Sequence, residues 1–122
     1  SGAIINFGSV SGMFGYPYEI GYGSSKAAVI YMTKNAANEN GFNGVRINAV
    51  SPGWVDTNMM KTVVDSYKDV GIENSSDNVT IGPMRRVAAP EELANVVTFL
   101  ASEEASYVNG ANFLVDGGMT LG

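Results

Sequence analysis

Cysteine and histidine are both absent from this chain of 122 residues. Without cysteine there are no disulfide bonds and no thiolate ligands for a metal. Without histidine the usual zinc ligand sets and every Ser-His-Asp or Cys-His nucleophile are excluded. Acid and base chemistry must therefore come from tyrosine, lysine or carboxylate side chains, and we expect no metal site.

Basic residues and long apolar runs are also scarce. Twelve acidic residues outnumber seven basic ones, and the resulting net charge of -5 has the wrong sign for binding nucleic acid or anionic lipid. No apolar run approaches the roughly 18 residues of a membrane span, and Ser1 opens the chain without a charged signal region. We expect no nucleic-acid partner, no membrane contact and a cytoplasmic protein.

The residues that are present have the make-up of one globular domain, with 45% hydrophobic side chains. Short apolar runs next to glycine or proline predict strands at Ala3–Phe7, Val45–Val50 and Asn112–Asp116. The first of these runs is too short for a helix and is typical of a strand that is buried on both faces. We therefore expect a parallel sheet.

Three segments with helical character alternate with these strands. The predicted helices are Tyr22–Asn40, a short helix after the cap residues Asp56 and Thr57, and Pro90–Ala101. The order strand, helix, strand, helix, helix, strand is typical of a parallel α/β layer structure. Residues Lys68–Ala88 lack a sustained period and predict a surface excursion of about twenty residues.

Tyr22 and Lys26 are four residues apart on the longest predicted helix, so their side chains share one face. A phenol has an ordinary pKa near 10 and needs a neighbouring cation to act as an acid or base at neutral pH. Lowering that pKa by about 3 units takes about 4 kcal/mol, which one partly desolvated ammonium can supply. The hydroxyl of Ser9, just after the first strand, falls where chain ends converge in an open α/β sheet.

Four motifs in this order resemble the short-chain dehydrogenase/reductase family. They are INFGSVSG, YGSSKAAV, RINAVSPGWVDTNM and PEELANVVTFLASEEASYVNGANFLVDGG, and together they extend over nearly all 122 residues. The resemblance implies an α/β fold, the C-terminal part of a Rossmann-type doubly wound parallel sheet with three strands and about three helices here. It also implies NAD or NADP as the cofactor.

The resemblance further implies roles for particular residues. Tyr22 would exchange a proton with the substrate oxygen, Ser9 would polarise that oxygen, and Lys26 would hold the nicotinamide ribose and lower the pKa of Tyr22. The cofactor-binding residues implied by the family pattern are Tyr22, Lys26, Pro52, Gly53, Val55 and Thr57.

Several neighbouring residues allow a second interpretation. Ser11 offers the same hydroxyl as Ser9, and the family pattern favours Ser9 and leaves Ser11 as a turn residue. Tyr16 and Tyr18 are interpreted as loop packing or as aromatic walls of the substrate site. The stripe formed by Met59, Met60, Val63 and Val64 fits either core packing or a lid over the substrate.

Two motifs of the family are missing. The glycine-rich turn T-G-x-x-x-G-x-G and the N-A-G motif have no counterpart, and the chain does not begin with Met. We therefore expect residues 1–122 to form the catalytic and C-terminal half of a single Rossmann-type dehydrogenase domain, with the N-terminal dinucleotide-binding half absent. The piece alone would be inactive and would bind NAD(H) or NADP(H) no tighter than millimolar.

The function expected for the parent protein is NAD(P)-dependent oxidation of a small-molecule alcohol to a ketone, or the reverse. Two alternatives remain open. One is a dehydratase or epimerase of the same superfamily, and the other is a non-catalytic binding or assembly module. Family members usually associate through the helix that follows the catalytic tyrosine and through the last helix and strand, so we expect a homo-oligomer, a dimer or tetramer.

Overall fold

One parallel sheet of three strands organises the chain, and the computed structural model describes residues 1–71 and 81–121. The strands are β1 (Gly2–Phe7), β2 (Val45–Pro52) and β3 (Asn112–Val115), in the spatial order β1-β2-β3. β1 pairs with β2 along its whole length, and the last four residues of β2 pair with β3. The predicted parallel α/β structure is confirmed.

In residues 1–71 and 81–121, three α-helices connect the strands in the predicted order. They are α1 (Ile20–Asn40), α2 (Asn58–Asp69) and α3 (Pro90–Ala101). Short 3-10 turns lie at Val10–Gly12, Gly41–Asn43 and Glu103–Ala105. Within the described residues, none of the helices has both the length and the apolar character that a bilayer crossing requires.

Some element ends differ from the sequence predictions. α1 begins at Ile20 rather than Tyr22. β2 runs to Pro52 instead of Val50 because its last residues pair with β3. β3 stops before Asp116, whose carboxylate accepts hydrogen bonds from Gly118 N at 2.9 Å and from the Thr120 hydroxyl at 2.6 Å and so begins a turn.

The predicted excursion Lys68–Ala88 is shorter than expected at both ends. α2 continues to Asp69, and Ala88 forms a parallel bridge with Val55. The central part of the excursion, residues 72–80, lies outside the described residues.

Helices cover both faces of the sheet. Side chains alternate between faces along a strand, and on β2 Val50 packs with Leu93 and Leu100 of α3 in the buried core. Its neighbour Ser51 lies on the other face, next to Gly8 and to Ile30 of α1. This arrangement of helices on two faces agrees with a doubly wound sheet.

The outer edge of β1 has no strand partner in the part of the chain that the structure describes. Ile4 and Phe7 of β1 are each 48% exposed. An unpaired strand edge with exposed apolar side chains is a surface that proteins normally cover. β1 therefore has the character of a strand that continues into more sheet.

Candidate active site at the strand ends

The carboxyl ends of β1 and β2 open into a cavity of about 950 Å³. The first turns of α1, the loop after β2, and the helices α2 and α3 complete its walls. The seven residues singled out in the sequence all line it: Ser9, Tyr22, Lys26, Pro52, Gly53, Val55 and Thr57. The structure thus brings the predicted residues together at the edge of the sheet where ligands bind in open α/β folds.

Ser9 follows β1 in extended conformation and is 7% exposed. Its Oγ accepts a hydrogen bond from Ser11 N at 3.1 Å, which caps the turn Val10–Gly12. Because this bond uses a lone pair of the oxygen, the hydroxyl hydrogen remains available for donation to a ligand. Ser11 also lines the cavity.

Tyr22 and Lys26 lie one turn apart at the start of α1. The Nζ of Lys26 is 5.8 Å from the centroid of the Tyr22 ring, so the ammonium lies within range of the phenol. The same Nζ donates a hydrogen bond to the carbonyl oxygen of Phe7 at 3.0 Å, which ties α1 to the end of β1.

Gly12 allows the turn that carries Ser9 to pack directly on α1. A Cβ at Gly12 would lie 2.8 Å from the carbonyl carbon of Lys26 and 2.9 Å from the nitrogen of Ala27. Backbone atoms at that distance cannot move aside cheaply. The missing side chain therefore lets Ser9 approach the helix that presents Tyr22 and Lys26.

The loop after β2 forms the opposite wall of the cavity. Gly53 N donates to the carbonyl oxygen of Val115 at 3.0 Å, which holds the loop against the end of β3. Thr57 Oγ1 accepts a hydrogen bond from Met60 N at 3.3 Å and caps α2, as its position in the sequence predicted. The free N–H groups at such a helix start favour anionic groups such as phosphates.

Lys26 and the start of α2 offer donors that fit a dinucleotide. An ammonium has three N–H donors, and the described residues use one of them, at Phe7 O. The remaining donors suit ribose hydroxyls, whereas the capped start of α2 suits a phosphate. The residues present are therefore compatible with NAD or NADP.

Sequence reasoning did not identify Glu19, Trp54 or Tyr67 as site residues, although all three line the cavity. Glu19 Oε2 and Trp54 Nε1 are buried and have no hydrogen-bond partner within residues 1–71 and 81–121. Neither residue belongs to a motif whose spacing predicts a role. Tyr16 and Tyr18 line the cavity too, as their interpretation as wall aromatics requires.

Burial and neighbouring carboxylates shift the proton affinity of two cavity tyrosines. Burial, followed by the charges of Glu19 and Asp116, raises the pKa of Tyr16 above its ordinary value. Burial and the charge of Glu19 raise the pKa of Tyr67. Both phenols are therefore held in the neutral form and can serve as hydrogen-bond donors at neutral pH.

Comparisons with known proteins identify the family. A family model described as Enoyl-(Acyl carrier protein) reductase matches residues 1–120. The short-chain dehydrogenase fogB of Aspergillus ruber is 45% identical over 121 residues, which are 98% of this chain and 42% of fogB. The chain belongs to the short-chain dehydrogenase/reductase family.

Solved structures of this dehydrogenase family share the fold. Levodione reductase superposes with a TM-score of 0.93 at 34% identity, over 99% of this chain and 47% of that one. ElxO with NADP bound gives a TM-score of 0.82 at 37% identity, over 98% of this chain and 47% of ElxO. The Rossmann-type fold predicted for the chain is confirmed.

The cofactor prediction, NAD or NADP, is confirmed for the family. ElxO holds NADP, and 4-hydroxyisoleucine dehydrogenase, with a TM-score of 0.79 at 30% identity over 98% of this chain and 46% of that one, is complexed with NADH. This chain spans less than half the length of each of these relatives.

Proposed function

We propose that the protein carrying these residues is an NAD(P)-dependent oxidoreductase that interconverts an alcohol and a ketone. The convergence of Ser9, Tyr22 and Lys26 on one cavity at the end of β1 supports this proposal most directly. The three side chains come from two different elements, the turn after β1 and the first turns of α1. A serine hydroxyl, a phenol and an ammonium in one cavity suit proton exchange with a substrate oxygen.

Each of the three side chains has a separate part in the reaction. Tyr22 gives its phenolic proton to the ketone oxygen during reduction, and its phenolate takes the proton back during oxidation. The Lys26 ammonium stabilises that phenolate, and the Ser9 hydroxyl donates a hydrogen bond to the same oxygen as negative charge develops on it. The bound nicotinamide supplies or accepts the hydride.

The cofactor would be held by the other wall of the cavity together with Lys26. Lys26 has the donors for ribose hydroxyls, and Pro52, Gly53 and Val55 form the loop wall that the nicotinamide would contact. Thr57, at the capped start of α2, is placed for the carboxamide or the pyrophosphate.

The open edge of β1 supports the proposal that residues 1–122 are the catalytic and C-terminal half of one dehydrogenase domain. β1 lacks a partner on one side among the described residues, and the relatives are about twice as long as this chain. The predicted homo-oligomer fits the exposed apolar side chains of Tyr31 and Met32 on α1. The cytoplasmic location stays a prediction.

Replacing Tyr22 with phenylalanine tests the proposed function. In the complete protein, Tyr22→Phe is expected to lower kcat/KM for NAD(P)-dependent alcohol oxidation by about a hundredfold or more, because the proton acceptor is lost. Absorbance of the reduced cofactor measures the reaction. Tyr31→Phe makes the same chemical change at an exposed tyrosine of α1 outside the cavity and should leave the rate within about twofold.

Persistence of activity within about tenfold in Tyr22→Phe would overturn the assignment of the proton carrier. Cofactor turnover also separates the proposal from the dehydratase or epimerase alternative. Those reactions leave no net reduced or oxidised dinucleotide when they are complete.

A further inference from the structure

A carboxylate and three phenol rings line the same cavity. We call Tyr16, Tyr18, Glu19 and Tyr67 the anionic aromatic cluster, and all four residues line the cavity. Three of them come from the loop that leads into α1, and Tyr67 comes from α2. The cluster therefore joins the element that carries Tyr22 to the helix on the other side of the cavity.

The loop backbone is bent so that Tyr18 meets Tyr67. Tyr18 has φ of 66°, in the left-handed region that residues other than glycine rarely occupy. Its ring lies 6.3 Å from that of Tyr67, centroid to centroid, at an interplanar angle of 53°. Such backbone conformations are unfavourable for residues other than glycine and concentrate at binding sites.

The carboxylate of Glu19 lacks a partner inside the cavity. Its Oε2 is buried and accepts no hydrogen bond from any residue that the structure describes. Glu19 occupies the N-cap position of α1, yet its side chain makes no capping bond. Because a buried polar atom without a partner is unfavourable, a ligand that pairs with this oxygen gains affinity.

The charge of Glu19 acts on the neighbouring rings and pairs with no lysine or arginine among the described residues. After burial, this charge is the next cause of the raised pKa of Tyr16 and of Tyr67. Among the described cavity-lining residues, Lys26 is the only lysine or arginine, and its Nζ bonds to Phe7 O.

We propose that the substrate carries a positively charged amino group and that the anionic aromatic cluster binds it. An ammonium group is attracted both to a carboxylate and to the faces of aromatic rings. A neutral hydroxyl could satisfy Glu19 Oε2 but would gain no electrostatic attraction to the charge of Glu19. This inference rests on the proposed function, because it assigns the substrate class of the same site.

The position of Glu19 sets where the amino group lies relative to the reacting oxygen. Glu19, at the N-cap of α1, precedes Tyr22 by three residues, so the two residues lie within about one helical turn of each other. A ligand that contacts both residues therefore has its amino group a few carbons from the carbinol. The substrate class is an amino alcohol or the corresponding amino ketone.

Two ketones of the same shape test the proposal in the complete protein. One is a methyl ketone with a trimethylammonium group three methylenes from the carbonyl, and the other has a tert-butyl group in the same place. We expect wild type to reduce the charged ketone with at least about a tenfold higher kcat/KM than its neutral isostere. In Glu19→Gln the ratio of kcat/KM for the charged ketone to kcat/KM for the neutral ketone should fall about tenfold or more.

Matched variants identify the source of the preference. Glu103→Gln removes the same charge at an exposed position outside the cavity and should keep the full preference. Tyr67→Leu should lower the preference for the charged ketone severalfold. Tyr67→Phe keeps the aromatic ring and should leave that preference unchanged. A wild type that prefers the neutral ketone, or a preference unchanged by Glu19→Gln, would overturn the proposal.

Equilibrium binding separates this inference from the proposed function. If wild type reduces neither ketone with NADH or NADPH, the oxidoreductase assignment fails for these compounds. In that case, calorimetry measures the affinity of the trimethylammonium ketone and so tests binding by the cluster without any reaction. An affinity at least about tenfold weaker in Glu19→Gln than in wild type supports the proposal that the cluster binds the charged group. Equal affinities of the two proteins, or no binding to either, would overturn that proposal.

Discussion

At the scale of single residues, Ser9 and Ser11 are a natural pair for comparison. Both hydroxyls line the cavity, but Ser9 is nearly buried and held by its bond from Ser11 N. Ser9→Ala should lower kcat/KM about a hundredfold, since a hydrogen-bond donor to the developing oxyanion is lost. Ser11→Ala keeps its backbone N–H and should stay within about threefold. If Ser11→Ala lowered kcat/KM more than Ser9→Ala, Ser11 rather than Ser9 would be the residue that polarises the substrate oxygen.

The sequence predicts some site residues and misses others for physical reasons. Helical periodicity alone places Tyr22 and Lys26 on one face, and parallel topology brings Ser9 to the same edge of the sheet. Glu19 and Trp54 reach the cavity through the path of loops, whose backbone conformation no periodic pattern specifies. The left-handed conformation of Tyr18 has no sequence signal either, because tyrosine does not favour it.

At the scale of elements, the packing of the turn Val10–Gly12 on α1 depends on Gly12. Gly12→Ala forces its Cβ against the backbone of Lys26 and Ala27, so it should destabilise folding by about 1–3 kcal/mol and lower kcat as Ser9 moves away. Gly15→Ala, where a Cβ would meet nothing within 4 Å, should be neutral in both respects. Urea unfolding and steady-state kinetics on both variants measure the difference. Equal stability of the two would contradict the close packing.

The start of α3 depends on a pair of opposite charges. Glu92 accepts two hydrogen bonds from the Arg86 guanidinium, each at 2.7 Å, and one from Ala89 N at 2.9 Å. Hydrogen bonds from Arg86 and then from Ala89 N lower the pKa of Glu92 to about 2. The carboxylate thus closes the first turn of the helix in its charged form.

Because this pKa lies lower in the folded state than in the unfolded state, the stabilisation is present above the ordinary pKa and is lost as the pH falls toward about 2. Glu92→Gln should therefore lower Tm at neutral pH. The difference in Tm between this variant and wild type should shrink below about pH 4.5. Glu91→Gln, at an exposed neighbouring position, is the control. Thermal unfolding across this pH range measures the effect. A difference that is constant with pH would contradict it.

Element limits were predicted well where local chemistry decides them. α3 spans Pro90–Ala101 as expected, because proline at the first position and an acidic first turn act within the segment itself. The end of β2 was missed because its last residues pair with β3, which lies about sixty residues further along the chain. The end of α3 also uses a distant residue, Arg46, whose Nη1 donates to Leu100 O at 2.9 Å.

At the scale of the whole molecule, the open edge of β1 and the missing glycine-rich turn bear on cofactor binding. The isolated 122-residue chain should bind NAD(H) and NADP(H) no tighter than millimolar, because the glycine-rich turn of the family has no counterpart in its sequence. Equilibrium dialysis measures the affinity, after circular dichroism has shown that the chain is folded. A Kd well below millimolar would overturn the division of the domain that we propose.

The overall architecture was accessible from the sequence because alternating strands and helices permit few parallel arrangements. The number of strands and their parallel direction were predicted in this way, whereas the doubly wound arrangement, with helices on both faces, was implied by the resemblance to the dehydrogenase family. The size of the cavity was not predicted from the sequence. It depends on how far the loop after β2 stands from α1, and that distance is set by packing across the whole sheet.

Trp54 is the only tryptophan of the chain, and it lies in the wall of the cavity with its buried Nε1 unpaired among the described residues. Indole fluorescence responds to the polarity around the ring and to hydrogen bonds at Nε1. Excitation of this one side chain in the isolated chain therefore reports on the wall of the cavity and its immediate surroundings. Any compound that enters should alter its emission without an added dye, so the chain supplies its own optical signal for screening ligands.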